Sequence, residues 1–232
     1  MSVCLGFQCA AGVVLCADRQ ITDSFGMKYH RSKVWWSHNS ATELMFIFAY
    51  AGEPNTAKVM FKKIRTGFVE SFAKETGFHL SEKITGALER IYKDKSTKGL
   101  HTLIGVSIDK SKPALIRTEG SKVVEGSAAE SIGVGDSSVL KYVTELLLKK
   151  QPTVEEASVL GAYVVSVASR YINGCSGGPD VATLYAGRAR FQGPDVLNAY
   201  ARYYSDYENR VTDLFGRVIL KPLASQKSKS RP

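Results

Sequence analysis

The chain contains few of the residues that cross-link a protein or bind metals. Its 232 residues include only four cysteines and four histidines. No two cysteines form a CxxC pair, and no two histidines stand four positions apart. The spacing therefore predicts neither a disulfide framework nor a zinc site. We expect reduced, buried thiols, no bound metal and no cofactor.

Long apolar runs are also missing. The longest, residues 45–51, is far shorter than the about 20 residues that a membrane-spanning helix needs. The opening residues, MSVCLG, lack the basic start and the apolar run of a secretory signal. We therefore expect a cytoplasmic protein that makes no membrane contact.

Basic residues exceed acidic ones only mildly, at 31 against 22, which gives a formal net charge of +9. Residues 221–232 contain four basic and no acidic residues, so the excess elsewhere is spread along the chain. Such a balance does not specify nucleic acid, and we expect none as a partner. At this length a chain buries roughly 70–75% of its unfolded surface. We predict one domain over residues 1–220 and a basic polar tail over residues 221–232.

Apolar patterning separates strands of period two from helices of period 3.6. Short apolar runs predict strands at residues 3–8, 13–17, 34–37, 45–51, 100–108, 113–118 and 181–186. Helical spacing predicts two helices after Gly52, then helices at residues 137–150, 153–171 and 197–214. Strands followed by helix pairs favour an α+β fold, a four-layer αββα sandwich of two stacked sheets flanked by helices.

Two glycine-rich motifs look like the motifs of other activities but lack residues that those activities require. Residues 133–135 (GVG) precede a predicted helix, but Ser138 stands at the third glycine position of a dinucleotide-binding motif and no P-loop lysine follows. Residues 174–179 (GCSGGP) look like the serine motif of trypsin-like proteases. Cys175 replaces the aspartate of that motif, and no histidine has the sequence context that this chemistry requires. Neither activity is predicted.

Ser2 offers a simpler route to nucleophilic catalysis. Removal of Met1 would leave one residue that carries both a hydroxyl and a free α-amine. The amine, with a pKa of about 7.7–8.0, can accept the hydroxyl proton near neutral pH. Many chains begin with Met-Ser, so the residues that follow Ser2 decide whether this reading holds.

Those residues resemble the opening of proteasome β subunits and their bacterial relatives, which are N-terminal nucleophile (Ntn) hydrolases. The resemblance rests on residues 2–7 (SVCLGF) and 12–22 (GVVLCADRQIT), with later similarities at residues 33–34, 51–52, 133–135 and 176–178. It extends over about residues 2–187. It implies a sandwich of the Ntn-hydrolase type and assembly into a homo-oligomeric ring.

The resemblance also implies catalytic roles for four residues. Ser2 would attack the scissile carbonyl, and Lys33, held by Asp18, would place positive charge beside its hydroxyl. The backbone N–H of Gly52 would stabilise the oxyanion. Lys28 is a second candidate for the lysine. A salt bridge on the surface is the alternative explanation of the pair formed by Asp18 and Lys33.

Six further positions are implied as substrate contacts or as support for the site. Ile21 and Tyr50 are the implied substrate-binding residues, and a ring at the base of the pocket favours small side chains before the cleaved bond. The implied supporting residues are Val134, Asn173, Ser176 and Asp180. Val134 stands where the family usually has a serine and Asn173 where it has an aspartate, so Asp180 is a candidate to compensate.

Three functions are consistent with this sequence. The first is a proteasome-type peptidase that acts on peptides or unfolded proteins within a ring, with or without an unfoldase partner. The second is a catalytically inactive ring subunit, which retention of Met1 would favour. The third is an Ntn acylase that hydrolyses small amides, because one fold can support several substrates.

Overall fold

A computed structural model describes most of the chain, namely residues 2–23, 25–41, 43–72, 80–93, 97–108, 111–133 and 151–215. The strands are β1 (Val3–Gln8), β2 (Gly12–Asp18), β3 (Gln20–Thr22), β4 (Lys28–His30), β5 (Val34–Asn39), β6 (Leu44–Ala51), β7 (His101–Ile108), β8 (Ala114–Glu119), β9 (Lys122–Glu125), β10 (Ala129–Gly133), β11 (Pro179–Tyr185) and β12 (Arg188–Phe191). The helices are α1 (Pro54–Phe72), α2 (Leu80–Tyr92), α3 (Val154–Tyr171) and α4 (Pro194–Phe215).

The strands form two five-stranded sheets and a separate hairpin. The first sheet has the order β10-β1-β2-β11-β12, the second has the order β5-β6-β7-β8-β9, and β3 pairs with β4. Every pairing among the described strands is antiparallel. Antiparallel neighbours need only short connections, which fits the tight turns between β1 and β2 and between β8 and β9.

The two sheets stack face to face and are covered by helices on the outside. Leu15 of the first sheet and Ile47 and Leu103 of the second belong to one buried apolar cluster between the sheets. A second cluster joins the outer face of the second sheet to α1 and α2. Helix α3 packs on the first sheet, against β1, β2 and β11. The fold is the α+β sandwich that the sequence predicts.

Local signals in the sequence locate most helix boundaries. Thr153 accepts a hydrogen bond from the Glu156 amide at 3.1 Å, and Glu156 accepts one from the Thr153 amide at 2.8 Å. This confirms the capping box predicted at the start of α3. The predicted helix at residues 137–150 and the end of the first helix near Gly77 lie outside the described residues.

Some expectations about strands are wrong or incomplete. Gly133 is the last residue of β10, which was not predicted, and the helix predicted after it lies outside the described residues. Residues 181–186 are not the last strand, because β12 follows and pairs with β11. Strands β3, β4, β9 and β10 were likewise not predicted.

The chain divides into two compact units, residues 1–192 and residues 193–232. The first contains both sheets and helices α1 to α3, and the described part of the second is α4. The predicted boundary at residue 220 and the basic tail lie outside the described residues. Of the helices described, none combines the length and the apolar character that a membrane crossing requires.

Candidate active site

Ser2 lies immediately before β1 and is 9% exposed. The next residue, Val3, is held by contacts with two other segments. The Val3 amide donates to Asp18 Oδ1 at 2.8 Å, and Val3 stands opposite Gly133 in the pairing of β1 with β10. Gly133 has a positive φ of 74°, and a side chain there would collide with the carbonyl oxygen of Ser2. The start of the chain is therefore held in one position by two strands.

Lys33 connects the Ser2 hydroxyl to a buried carboxylate. Lys33 Nζ lies 2.8 Å from Ser2 Oγ, 2.8 Å from Asp18 Oδ1 and 2.9 Å from Asp18 Oδ2. Three N–H groups are all that an ammonium has, so every one of its donors is used. Lys33 is 1% exposed and Asp18 is fully buried. The pair is therefore not a surface salt bridge, and Lys28, which is exposed in β4, makes none of these contacts.

Asp18 accepts more hydrogen bonds than the lysine alone supplies. Besides the Val3 amide on Oδ1, the Gln20 amide donates to Oδ2 at 3.1 Å. These contacts offset part of the cost of burying the charge of Asp18, which has no exposed surface. The ammonium of Lys33 is thus held rigidly with its charge directed at the Ser2 hydroxyl.

Gly52 forms the turn between β6 and α1 and lines the cavity that also contains Ser2. Its φ of 129° is a conformation that L side chains rarely adopt. A Cβ at this position would lie 2.7 Å from the carbonyl oxygen of Gly99. Glycine therefore suits this turn, and any side chain here would be strained.

The cavity next to Ser2 has a volume of about 690 Å³. Ile21 and Tyr50 both line it, and both are buried, at 4% and 1% exposure. Tyr50 packs against Trp35, with ring centroids 4.9 Å apart. Its Oη has no hydrogen-bond partner among the described residues. Burial raises the pKa of Tyr50 well above its ordinary value, so the hydroxyl stays protonated.

Two of the implied supporting residues have partners other than Ser2. Ser176 Oγ donates to Gln20 Oε1 at 2.6 Å and lies 3.0 Å from His30 Nε2. A hydroxyl has one proton, so His30 is the donor in the second contact. Asp180 pairs with Arg19 at 3.5 Å, and burial raises the pKa of its carboxyl.

The other two supporting positions add little to the described site. Asn173 is exposed in the turn after α3. Val134 lies outside the described residues. In the described part of the chain no three His, Cys, Asp or Glu side chains group as metal ligands would.

Two residues of the cavity wall were not predicted from the sequence. Arg31 lies just after β4, and Lys58 lies in the second turn of α1; both line the cavity. The position of Lys58, four residues after Pro54, puts it on the same helix face as the start of α1. That spacing after Gly52 was a usable signal, whereas nothing in the sequence places Arg31 here.

Comparison with known proteins identifies the family of the chain and structures of similar fold. The family model described as "Proteasome subunit" matches residues 2–184. Comparison with curated proteins gives no match. Among solved structures, Anbu (ancestral beta-subunit) from Yersinia bercovieri superposes with a TM-score of 0.72 at 11% identity, over 93% of this chain and 97% of that one.

An Anbu (Gly-1) mutant from Hyphomicrobium sp. strain MC1 gives a TM-score of 0.70 at 13% identity, over 92% of this chain and 97% of its own. At such identities the superpositions show a shared fold only. The family match, however, extends over nearly all of the unit that contains the two sheets. The chain therefore belongs to the proteasome subunit family.

Proposed function

We propose that this chain is a proteasome-type peptidase that hydrolyses peptide bonds through Ser2 after removal of Met1. The observation that carries the proposal is the 2.8 Å contact between Lys33 Nζ and Ser2 Oγ, beside a cavity of about 690 Å³. Its substrates are peptides or unfolded proteins, and it works as part of a homo-oligomeric ring in the cytoplasm. The four free, buried cysteines support a reducing compartment.

Lys33 acts through its charge and does not accept a proton. All three of its N–H groups are directed at oxygen atoms, two on Asp18 and one on Ser2. The positive charge stabilises the developing alkoxide and so lowers the proton affinity of the Ser2 hydroxyl. The base must be another group, and the α-amine that Ser2 gains on losing Met1 has a suitable pKa of about 7.7–8.0.

In the first half of the reaction the Ser2 amine takes the hydroxyl proton while Oγ bonds to the scissile carbonyl carbon. The carbonyl oxygen becomes an oxyanion that the Gly52 N–H stabilises, and loss of one such donor typically costs about 3–4 kcal/mol of barrier. The carbon–nitrogen bond then breaks. The protonated Ser2 amine gives its proton to the departing amine, which leaves an ester on Ser2.

In the second half water hydrolyses this ester. The Ser2 amine, now neutral, takes a proton from water, and the resulting hydroxide bonds to the ester carbon. The second oxyanion forms at the same position against Gly52. When it collapses, the bond to Oγ breaks, Oγ regains the proton from the amine, and the acid product leaves.

A catalytically inactive ring subunit is the second candidate, and one observation favours it. Within the described structure, neither Ser176 nor Asn173 hydrogen-bonds to Ser2, because Ser176 is directed at Gln20 and Asn173 is exposed. Asn173 thus does not take the place of the aspartate that the family has at this position. Such a subunit would keep Met1 and serve as structure only.

Intact mass and covalent labelling of the native assembly test the proposal. We expect the mass to show loss of Met1 and a β-lactone or boronate to modify Ser2. Ser2→Ala should abolish labelling, whereas Cys175→Ala should keep it, which excludes reaction at the thiol. Retained Met1 together with unlabelled Ser2 would establish the inactive subunit. Turnover of small amides but not of peptides would instead identify an acylase.

A further inference from the structure

The loop between α3 and β11 packs closely on the hairpin formed by β3 and β4. The Arg19 amide, just before the hairpin, donates to the Ser176 carbonyl oxygen at 3.0 Å. Gly177, the next residue of the loop, has a φ of 87°. A Cβ at Gly177 would lie 2.8 Å from Cδ2 of His30 and 3.0 Å from Cβ of Arg19. At this point the loop and the hairpin therefore leave no room for a further side chain.

A series of side-chain hydrogen bonds crosses this contact. His30 Nε2, in β4, donates to Ser176 Oγ at 3.0 Å, and Ser176 Oγ donates to Gln20 Oε1 at 2.6 Å. Gln20 and His30 stand opposite each other in the pairing of β3 with β4, so the loop hydroxyl bridges two paired residues. His30 is exposed, whereas Gln20 is 6% exposed. The hydrogen bonds thus lead from an exposed side chain to a buried one.

Within the described residues, Ser176 is the only hydrogen-bond partner of the Gln20 side chain. The other end of this amide, Nε2, is buried and has no partner in the described part of the chain. A side-chain amide can donate two hydrogen bonds and accept two, so one contact is few for a buried amide. The short bond from Ser176 therefore fixes the orientation of the Gln20 side chain. Loss of that hydroxyl would leave both ends of the amide unpaired, which is costly in a buried place.

Gln20 connects these hydrogen bonds to the Asp18 carboxylate through its backbone. The Gln20 amide donates to Asp18 Oδ2 at 3.1 Å, and the same oxygen lies 2.9 Å from Lys33 Nζ. The other carboxylate oxygen accepts from the Val3 amide and from the same ammonium. A displaced Gln20 would let the carboxylate rotate, and with it the ammonium that lies 2.8 Å from Ser2 Oγ.

We infer that Gln20, Ser176 and His30 are positioning residues for the reaction. Within the described residues none of the three hydrogen-bonds to Ser2, and they act on it through the Asp18–Lys33 pair. The inference rests on the proposed function, since positioning matters only if Ser2 reacts. Catalytic groups must be held within about 0.5 Å of the productive geometry. A loosened carboxylate therefore lowers the rate at Ser2 more than it lowers binding in the cavity.

The rate of covalent labelling at Ser2 tests the inference on the assembled protein, with a β-lactone as the probe. We expect Ser176→Ala to lower the maximal labelling rate roughly tenfold and His30→Leu roughly fivefold, the loss typical of one or two hydrogen bonds. The β-lactone concentration that gives half the maximal rate should not change. His30→Gln restores an N–H donor at about the reach of histidine Nε2 and should regain most of the rate.

A double variant and two matched controls show whether these residues act together. His30→Leu added to Ser176→Ala should slow labelling no further, because substitutions within one hydrogen-bonded network are not additive. His38→Leu removes another exposed histidine, in β5, and Ser166→Ala removes a hydroxyl that donates within α3. Both controls should label at the wild-type rate. The inference is wrong if His30→Gln labels as slowly as His30→Leu, or if the losses of the double variant multiply.

Hydrogen exchange separates this inference from the proposed function, because it needs no reaction at Ser2. We expect the Gln20 amide to exchange roughly tenfold faster in Ser176→Ala than in the wild type, and at the wild-type rate in Ser166→Ala. Unchanged exchange in Ser176→Ala would overturn the inference, whatever the labelling shows.

The two proposals therefore fail in different ways. If Ser2 of the wild-type protein is never labelled but exchange at Gln20 rises in Ser176→Ala, the proposed peptidase is wrong and the link from the loop to Asp18 stands. If the wild type is labelled and Ser176→Ala is labelled equally fast, the peptidase stands and the positioning role is wrong.

Discussion

Two buried polar clusters in the first unit satisfy their hydrogen bonds in contrasting ways. At one, Ser2, Asp18 and Lys33 combine two full charges with a hydroxyl. At the other, between the second sheet and α2, Tyr92 Oη lies 2.9 Å from Thr102 Oγ1, which lies 2.7 Å from Thr118 Oγ1. Burial raises the pKa of Tyr92 to about 12, so this cluster stays neutral.

This contrast indicates which of the two clusters serves a chemical role. Hydroxyls can satisfy one another at little cost, so a neutral chain suffices where only packing is required. Buried charges are expensive, and replacing such a pair by apolar residues is often neutral or stabilising. Lys33 of this pair also contacts Ser2, which lines a cavity. We therefore interpret its charge as serving reactivity and the hydroxyl chain as serving stability.

Lys33→Met should have the largest effect and separates the clusters most sharply. It leaves the Asp18 carboxylate buried without its ammonium, and breaking a buried pair in this way costs about 3–5 kcal/mol. We expect that loss in the free energy of unfolding, measured with urea, together with loss of Ser2 labelling.

The matched control is Lys28→Met in the exposed strand β4. It should change stability by no more than about 0.5 kcal/mol and leave labelling intact. If the free energy of unfolding of Lys33→Met equalled that of the wild type, breaking the buried ion pair would carry no cost. The contrast between the charged and the neutral cluster would then be wrong.

Gly52→Ala should have the second largest effect, because it disturbs the turn that lines the cavity with Ser2 and leaves every charged side chain in place. The new Cβ would lie 2.7 Å from the Gly99 carbonyl oxygen at a φ of 129°. We expect the turn to shift its amide and the rate of Ser2 labelling to fall about 100-fold or more. In α2, Gly86→Ala meets no atom within 4 Å and should stabilise by about 0.4–1 kcal/mol. If Ser2 of the Gly52→Ala variant were labelled as fast as in the wild type, the Gly52 amide would have no role in the mechanism.

Thr102→Val should have the smallest effect and probes the neutral cluster. It leaves the hydroxyls of Tyr92 and Thr118 without their shared partner, at a cost of about 1–3 kcal/mol in unfolding free energy. Ser2 labelling should not change. The triple variant Tyr92→Phe, Thr102→Val and Thr118→Val removes all the partners at once and should regain much of the loss. Reduced labelling in Thr102→Val would show that the hydroxyl chain also serves the site.

The fold could be predicted wherever a segment is covered on both sides. Strand β6 is buried along its whole length and the sequence marks it as a continuous apolar run. Strands β9, β10 and β12 are edge strands of their sheets. Because an edge strand buries less of its surface, β12 (RARF) has no apolar run and was not predicted. Strand β4 (KYH) is exposed throughout and was missed for the same reason.

The candidate site was predictable only where the family resemblance supplied a position. Ser2, Asp18, Lys33 and Gly52 were named in this way, and the structure brings Ser2, Asp18 and Lys33 into direct contact. Arg31 and Lys58 were not named, because a basic residue in an exposed segment has no pattern that distinguishes a cavity wall from open surface. Ser176 was named as support for the site, yet its hydroxyl is directed at Gln20.

The layered architecture could be predicted from the chain alone, because apolar periodicity is a local property, and Ser2 could be proposed as a nucleophile only because the residues after it resemble a known family. Tertiary structure alone decided that Asp18 and Lys33, fifteen residues apart, form a pair that water cannot reach. Which charged side chains share the cavity wall with Ser2 likewise depends on the folded structure. The burial of a side chain and its hydrogen-bond partners depend on segments that meet only in the folded protein. A local sequence pattern therefore does not predict them.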